Sequence, residues 1–236
     1  PKRLLGSRVK AEVVMDYQVV YIVCSILAFI PAIVCHEFMH GFAAYKLGDN
    51  TAKQSGRLTL NPLKHIDPFG TIILPLLLAF MHAPVFGYAK PVPYNPNNFK
   101  DKRVGDVVVG LAGPAANLML ALIGSALMFA LHAQALTTHQ EFFFYFYWWF
   151  LPIFIMVNLY LMFFNLLPIP PLDGSSIIAF FLPVKYLPTY YKVQQYAFPI
   201  FLIVLFVLPY LLHFNIISEY LNVTAGALGS LLIPGA

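Results

Sequence analysis

The sequence predicts an all-α polytopic membrane protein: three membrane-crossing helices form a core with accessory helices beside it, and a re-entrant segment with short β-strands joins the first and second core helices. Hydrophobic residues fill 60% of the 236 positions, and mean hydropathy is +0.74. Charged residues fill 10%, against about 25% in a soluble domain. Several apolar runs reach the roughly 20 residues that a spanning helix needs. The net charge of +4 does not indicate nucleic acid, because the basic residues sit in short clusters between apolar runs, without the interleaved aromatics of a strand-binding groove.

Residues 1–14 are polar and basic and precede Met15. They read as a non-native leader, followed by one membrane-embedded domain over 15–236 with its core at about 17–182. From Tyr17 to Leu47 the pattern is one long helix, about 45 Å at 1.5 Å per residue, with Gly48 as its C-terminal cap. Cys24 and Cys35 lie too far apart along this helix to bridge each other. The next stretch is polar and turn-rich. In it Ser55 to Asn61 alternates like a strand, and Asn61-Pro62 and Asp67-Pro68 act as breakers. Thr71 to Met81 is apolar but too short to cross, so it reads as re-entrant. Val85 to Tyr94 is proline-rich and suits an edge strand. Val104 to Leu131 is the second span and Phe142 to Leu167 the third. Glu141 to Phe150 is an aromatic belt at the outer interface. A short apolar piece, Ser175 to Leu182, precedes an extra C-terminal span at about 190–213, and the remaining tail carries no clear signal.

The residues that need explaining are His36, Glu37 and His40, which sit deep in the first apolar helix. Each ionisable group there costs a few kcal/mol even on lenient insertion scales. In the pattern His36-Glu37-Phe38-Met39-His40, residues four apart share one helix face. Both imidazoles can therefore reach one zinc ion, with Glu37 beside it as a base. Such a pattern also arises by chance, but the apolar setting demands a compensating partner, which a metal ion supplies. A catalytic zinc takes three protein ligands and keeps one position open. Asp173, just after Pro168, Pro170 and Pro171 unwind the third span, is the outstanding candidate for the third ligand. The competing reading makes it a cap of the following short helix.

Three motifs occur in order: His36 to His40, then Gly113-Pro114-Ala115-Ala116-Asn117, then Asn165-Leu166-Leu167-Pro168 running to Leu172-Asp173-Gly174. In these the chain resembles the site-2 protease family of intramembrane zinc metalloproteases, in its short form without a PDZ or CBS domain. The resemblance implies one Zn2+ held by His36, His40 and Asp173, with Glu37 activating the attacking water. It implies that Asn165 holds the scissile carbonyl or its oxyanion, and that Gly113 and Asn117 support the site through close helix packing. The implied reaction is hydrolysis of a peptide bond within or near a transmembrane segment of a membrane-protein substrate. The substrate-binding residues and oligomeric state stay unassigned.

Topology supplies an independent test. Asp173 reaches the histidines only if the first and third core helices end on the same side, which requires that Thr71 to Met81 not span. The basic residues from Lys46 to Lys192 then fall on that side, which makes it cytoplasmic; Lys2, Arg3, Arg8 and Lys10, all before Met15, are the exceptions. This points to a multi-pass protein of the cell membrane whose zinc lies about 15 Å inside the cytoplasmic face. The two strands are expected to flank the site and to hold an unwound substrate by strand addition. His65 either lines the water route or contacts substrate, or is a plain surface histidine. Two readings from other classes are a metal-ion transporter, which needs polar groups through the full membrane depth, and an inactive homologue that binds membrane clients.

Overall fold

The structure, a computed structural model, describes residues 2–80 and 88–234. Helix α1 (Lys2–Lys46) ends at Gly48, whose N–H donates to Tyr45 O at φ +103°, a left-handed conformation that glycine adopts without strain. The short α2 (Thr51–Gln54) follows, and α3 (Leu74–Phe80) comes after a π-helical turn at Pro68–Ile73. Helix α4 (Lys102–Ala135) starts where Asp101 accepts the N–H groups of Arg103 and Val104. The third span combines α5 (Glu141–Tyr145), a π-turn at Phe146–Phe150 and α6 (Leu151–Asn165). Among the described residues, three helices are long and apolar enough to cross a membrane: Tyr17–Lys46, Lys102–Ala135 and Glu141–Asn165.

These three pack on one another. In lipid no hydrophobic force drives helices together, so small residues that admit close approach carry the association. A Cβ at Gly124 would stand 3.0 Å from Ile155, and Ala121 and Ala225 are fully buried against Ile155 and Leu159. The aromatic run divides by face. Phe142, Phe146, Phe150 and Phe154 stack one turn apart, while Tyr147 turns inward, its hydroxyl 2.7 Å from His132 Nδ1.

The re-entrant segment returns to its own starting level. Tyr88 N–H donates to Gly70 O and the Thr71 hydroxyl to Tyr88 O. These bonds hold Gly70 and Tyr88 side by side, so the two ends of the segment lie at one level. Met81, His82 and the Val85–Gly87 part of the expected second strand lie outside the described residues.

The expected strands are absent among the described residues. In Ser55–Asn61 the N–H groups of Arg57 and Leu58 both turn back to Ala52 O, and that of Thr59 goes to Arg57 O, so these three are spent on local turns instead of a ladder. Tyr88 to Tyr94 is extended, but its N–H groups scatter: Tyr88 to Gly70 O, Lys90 to His65 O and Val92 to Glu37. Pro91 and Pro93 have none to give. Among the described residues, neither segment forms a ladder.

Two buried groups pin this extended segment. Arg57 donates to Lys90 O (2.6 Å) and Pro91 O (3.3 Å). Asp49, fully buried just past α1, accepts from Thr51 Oγ1 (2.6 Å), Asn95 N (2.8 Å) and Asn98 Nδ2 (2.6 Å). Burial alone would raise the Asp49 carboxyl, but these hydrogen bonds outweigh it and hold the group below the ordinary carboxylate value. His65 is 2% exposed and donates from Nε2 to Thr59 O, so it is a buried element of this loop and not a surface residue.

After α7 (Ser175–Phe181) come α8 (Leu187–Gln194), α9 (Ala197–Leu202) and α10 (Leu208–Leu212). The expected span at 190–213 is not one rod: the chain bends by 72° between Gln194 and Ala197, near Pro199. The tail that carried no signal forms α11 (Ile216–Leu232), capped by Asn215 and packed on α6. Ser125 of α4 donates to Leu232 O at its far end.

Candidate metal centre and active site

His36 and His40 lie one turn apart on α1 and are 3% and 9% exposed. Asp173 arrives from the loop after α6, where Pro168, Pro170 and Pro171 cannot continue a helix. That loop closes tightly, with Gly174 N–H donating to Asn165 O at 2.7 Å. A Cβ at Gly174 would run into the Leu166 carbonyl, so only glycine permits the closure. Asp173 does not cap α7: the cap residue is Gly174, without a side-chain bond, and the Ser176 hydroxyl donates to the Asp173 backbone carbonyl. Its carboxylate faces the histidines instead.

The three donor atoms form a triangle. Nε2 of His36 and Nε2 of His40 are 3.0 Å apart, and Asp173 Oδ2 lies 3.2 Å and 3.4 Å from them. Ligands about 2.0–2.1 Å from a tetrahedral ion stand roughly 3.3 Å from one another, so the triangle has the size of one face of such a site.

The hydrogen-bond network decides the chemistry of these atoms. His40 Nδ1 faces Val109 O at 2.7 Å, and a backbone carbonyl can only accept. His36 Nδ1 faces Asn117 Oδ1 at 2.6 Å. The Asn117 amide nitrogen donates to Ala32 O (3.1 Å) and to Asn158 Oδ1 (2.9 Å), which leaves only its oxygen for His36. Asn158 in turn donates to Phe154 O. Both neutral imidazoles thus carry their proton on Nδ1 and present a bare lone pair at Nε2. Asp173 Oδ2 is buried and has no hydrogen-bond partner. With both imidazoles neutral, three acceptors converge on one point, an arrangement that a cation stabilises. Interhelical hydrogen bonds are worth only about 0.6 kcal/mol in a bilayer, so this network matters more for orientation than for stability.

Gly113 completes the cradle. A Cβ there would lie 2.5 Å from His40 Nε2 and 2.6 Å from His36 Cε1, inside the space around the donors. Gly110, one turn away, lets α4 approach Asp173 O and Ser176.

Glu37 sits beside this cluster, and its Oε2 accepts the Val92 N–H at 3.0 Å. Asn165 donates one amide hydrogen to Leu161 O, a turn back on its own helix, and is not tied to the triangle. The structure therefore gathers His36, His40, Asp173, Asn117 and Gly113 and keeps Glu37 adjacent. Sequence reading missed Asn158, Val109 O and the Val92 N–H. The first had a visible signal, an amide in the middle of an apolar span; the two backbone groups had none.

The fold and this site define a polytopic membrane protein with a buried His-His-carboxylate cluster and an adjacent glutamate. The model of peptidase family M50 matches residues 24–208, and the chain belongs to this site-2 protease family. It is 44% identical over 184 residues to a Bacillus subtilis protein named "Putative zinc metalloprotease YwhC", a match that covers 78% of this chain and 80% of the relative. Mycolicibacterium smegmatis "Putative zinc metalloprotease Rip2" is 36% identical over 63% of this chain and 53% of its own length, and the Mycobacterium tuberculosis protein of that name is 30% identical over 78% and 66%. No solved structure matches the chain at comparable significance.

Proposed function

We propose that the protein is an intramembrane zinc metalloprotease that hydrolyses a peptide bond within or near a transmembrane segment of a membrane-protein substrate. The observation that carries this reading is the convergence of two bare imidazole lone pairs and an unpartnered carboxylate oxygen at tetrahedral spacing. His36, His40 and Asp173 are the ligands of one zinc ion, and Gly113 and Asn117 support them. Family membership supports the reaction class.

Zinc, when bound, lowers the pKa of a water and polarises the scissile carbonyl. Glu37 is the general base. The Val92 N–H holds Oε2, and the other carboxylate oxygen takes the proton of the attacking water and returns it to the leaving amine. Asn165 stabilises the oxyanion through the amide hydrogen that Leu161 does not use. The substrate helix hides its peptide bonds in its own hydrogen bonds and must unwind before attack. The charge bias of the loops supports a site opening to the cytoplasmic side of the cell membrane.

The buried polar side chains His36, His40, Asn117 and Asn158 touch one another at one level, which disfavours an ion pathway through the full depth. The sequence keeps the proposed base and all three proposed ligands, which disfavours an inactive client-binder. The test uses purified protein reconstituted with zinc and single-span substrates. Chelator-sensitive cleavage that Glu37→Gln abolishes, with zinc retained, is expected. Cleavage persisting in Glu37→Gln would remove the assigned base, and wild-type protein that binds no zinc would remove the reading.

A further inference from the structure

We infer that Asn158 is a positioning residue of the metal centre: together with the Ala32 carbonyl it sets the direction of the Asn117 amide, and through it the nitrogen of His36 that faces the ion. This inference rests on the reading of His36 as a zinc ligand.

An amide oxygen and amide nitrogen are nearly the same size, so Asn117 fits its place in either of two orientations. They are chemically opposite. With the oxygen toward His36, Nδ1 carries the proton and Nε2 is free to bind a metal. With the nitrogen toward His36, Nδ1 must accept, the proton moves to Nε2, and the ligand atom is blocked. What selects the first orientation is the far side of Asn117, where Ala32 O and Asn158 Oδ1 both accept.

Asn158 is also an amide, and its own direction is set by Phe154 O, which receives Nδ2 at 2.8 Å. The relay from His36 through Asn117 and Asn158 thus ends on two backbone carbonyls, Ala32 and Phe154. Carbonyls cannot exchange donor for acceptor, so they impose one polarity on the whole chain. Asn117 and Asn158 are both fully buried, so no water replaces a lost partner. The Asn158 side chain bonds to no proposed ligand; its influence passes through Asn117.

The experiment is a zinc-affinity titration against a chelator on the full chain in detergent, independent of any cleavage. Asn158→Leu, which removes the acceptor at similar volume, is expected to weaken zinc binding about tenfold, the lower end for a group behind a ligand. Asn158→Asp is the rescue variant. As a neutral acid in an apolar interior it donates to Phe154 O and accepts from Asn117, and should restore near wild-type affinity. In an Asn117→Ala background Asn158→Leu should add nothing further. Unchanged affinity in Asn158→Leu, no rescue by Asn158→Asp, or additive losses in the double variant overturns the inference. If Asn158→Leu does not fold, Asn158→Ser, too short to reach Asn117, takes its place against Asn158→Asp, and equal affinities overturn it. Wild-type protein without zinc would instead sink the metalloprotease reading, so the two failures are separable.

Discussion

Gly113→Ala isolates the metal centre from the stability of the helix that carries it. A methyl at this position starts 2.5 Å from His40 Nε2 and 2.6 Å from His36 Cε1 and His40 Cε1. Ordinary contact begins near 3.4 Å, so the imidazoles or the helices must retreat by about 0.9 Å to relieve it. Metal sites hold their ligand distances within about 0.2 Å, so a displacement several times larger degrades the triangle. Helix propensity acts in the opposite direction, since alanine in a helix interior is favoured over glycine by about 1 kcal/mol. Overpacking costs about 1–3 kcal/mol and offsets that gain, so the expected result is a protein that still folds, with a thermal midpoint near or below wild type. Its zinc affinity should fall about 10- to 100-fold, and kcat/KM by about 100-fold from misplacement near 1 Å. Chelator titration with elemental analysis reads the first, and gel-based cleavage of a reconstituted substrate reads the second. Zinc affinity and cleavage both at wild-type levels in Gly113→Ala would show that the cradle does not closely surround the ion.

Other changes separate the remaining roles. Asp173→Ala should lose most of its zinc by elemental analysis, and equal metal content would exclude Asp173 as a ligand. Glu37→Gln should keep the metal and lower kcat by at least 100-fold, the low end for a general base. Gly174→Ala, whose methyl would meet the Leu166 carbonyl, should misplace Asp173 and reduce zinc content even where the spans still insert. Asp49 gives a pH prediction. Its folded-state pKa lies below the unfolded value of about 3.9, so its contribution to stability is complete above that value and is lost as pH falls through the folded pKa. Thermal midpoints of wild type and Asp49→Asn should therefore differ at pH 7 and converge on acidification. A constant difference would refute the assignment.

Much of the site was legible because its parts are short-range. Helical periodicity alone puts His36 and His40 on one face, and three prolines before Asp173 announce an unwound carboxylate. The length of Thr71 to Met81 argued against a crossing, and the Gly70–Tyr88 bonds bring the two ends of that stretch together. What the sequence could not convey depends on the register between helices. Nothing local says that Val109 O meets His40, or that Asn158 sits behind Asn117 rather than facing lipid. The strand readings failed for a related reason. Alternation over four residues cannot name a partner, and the N–H groups that a ladder needs went to Ala52, His65 and Glu37. The α11 helix was passed over because its composition is mild, although Asn215, which caps it, was visible.

The two histidines are secured differently, and this has a consequence for how the centre can vary. His40 leans on the main-chain carbonyl of Val109, which persists through nearly any substitution of that side chain. His36 depends on two replaceable amides in series. Mutational drift and deliberate redesign therefore have unequal access to the pair: one histidine is anchored to the scaffold itself, and the other can be tuned. On the proposed reading, grip on the ion would be graded from Asn117 and Asn158, both fully buried, without touching a proposed ligand or the proposed base.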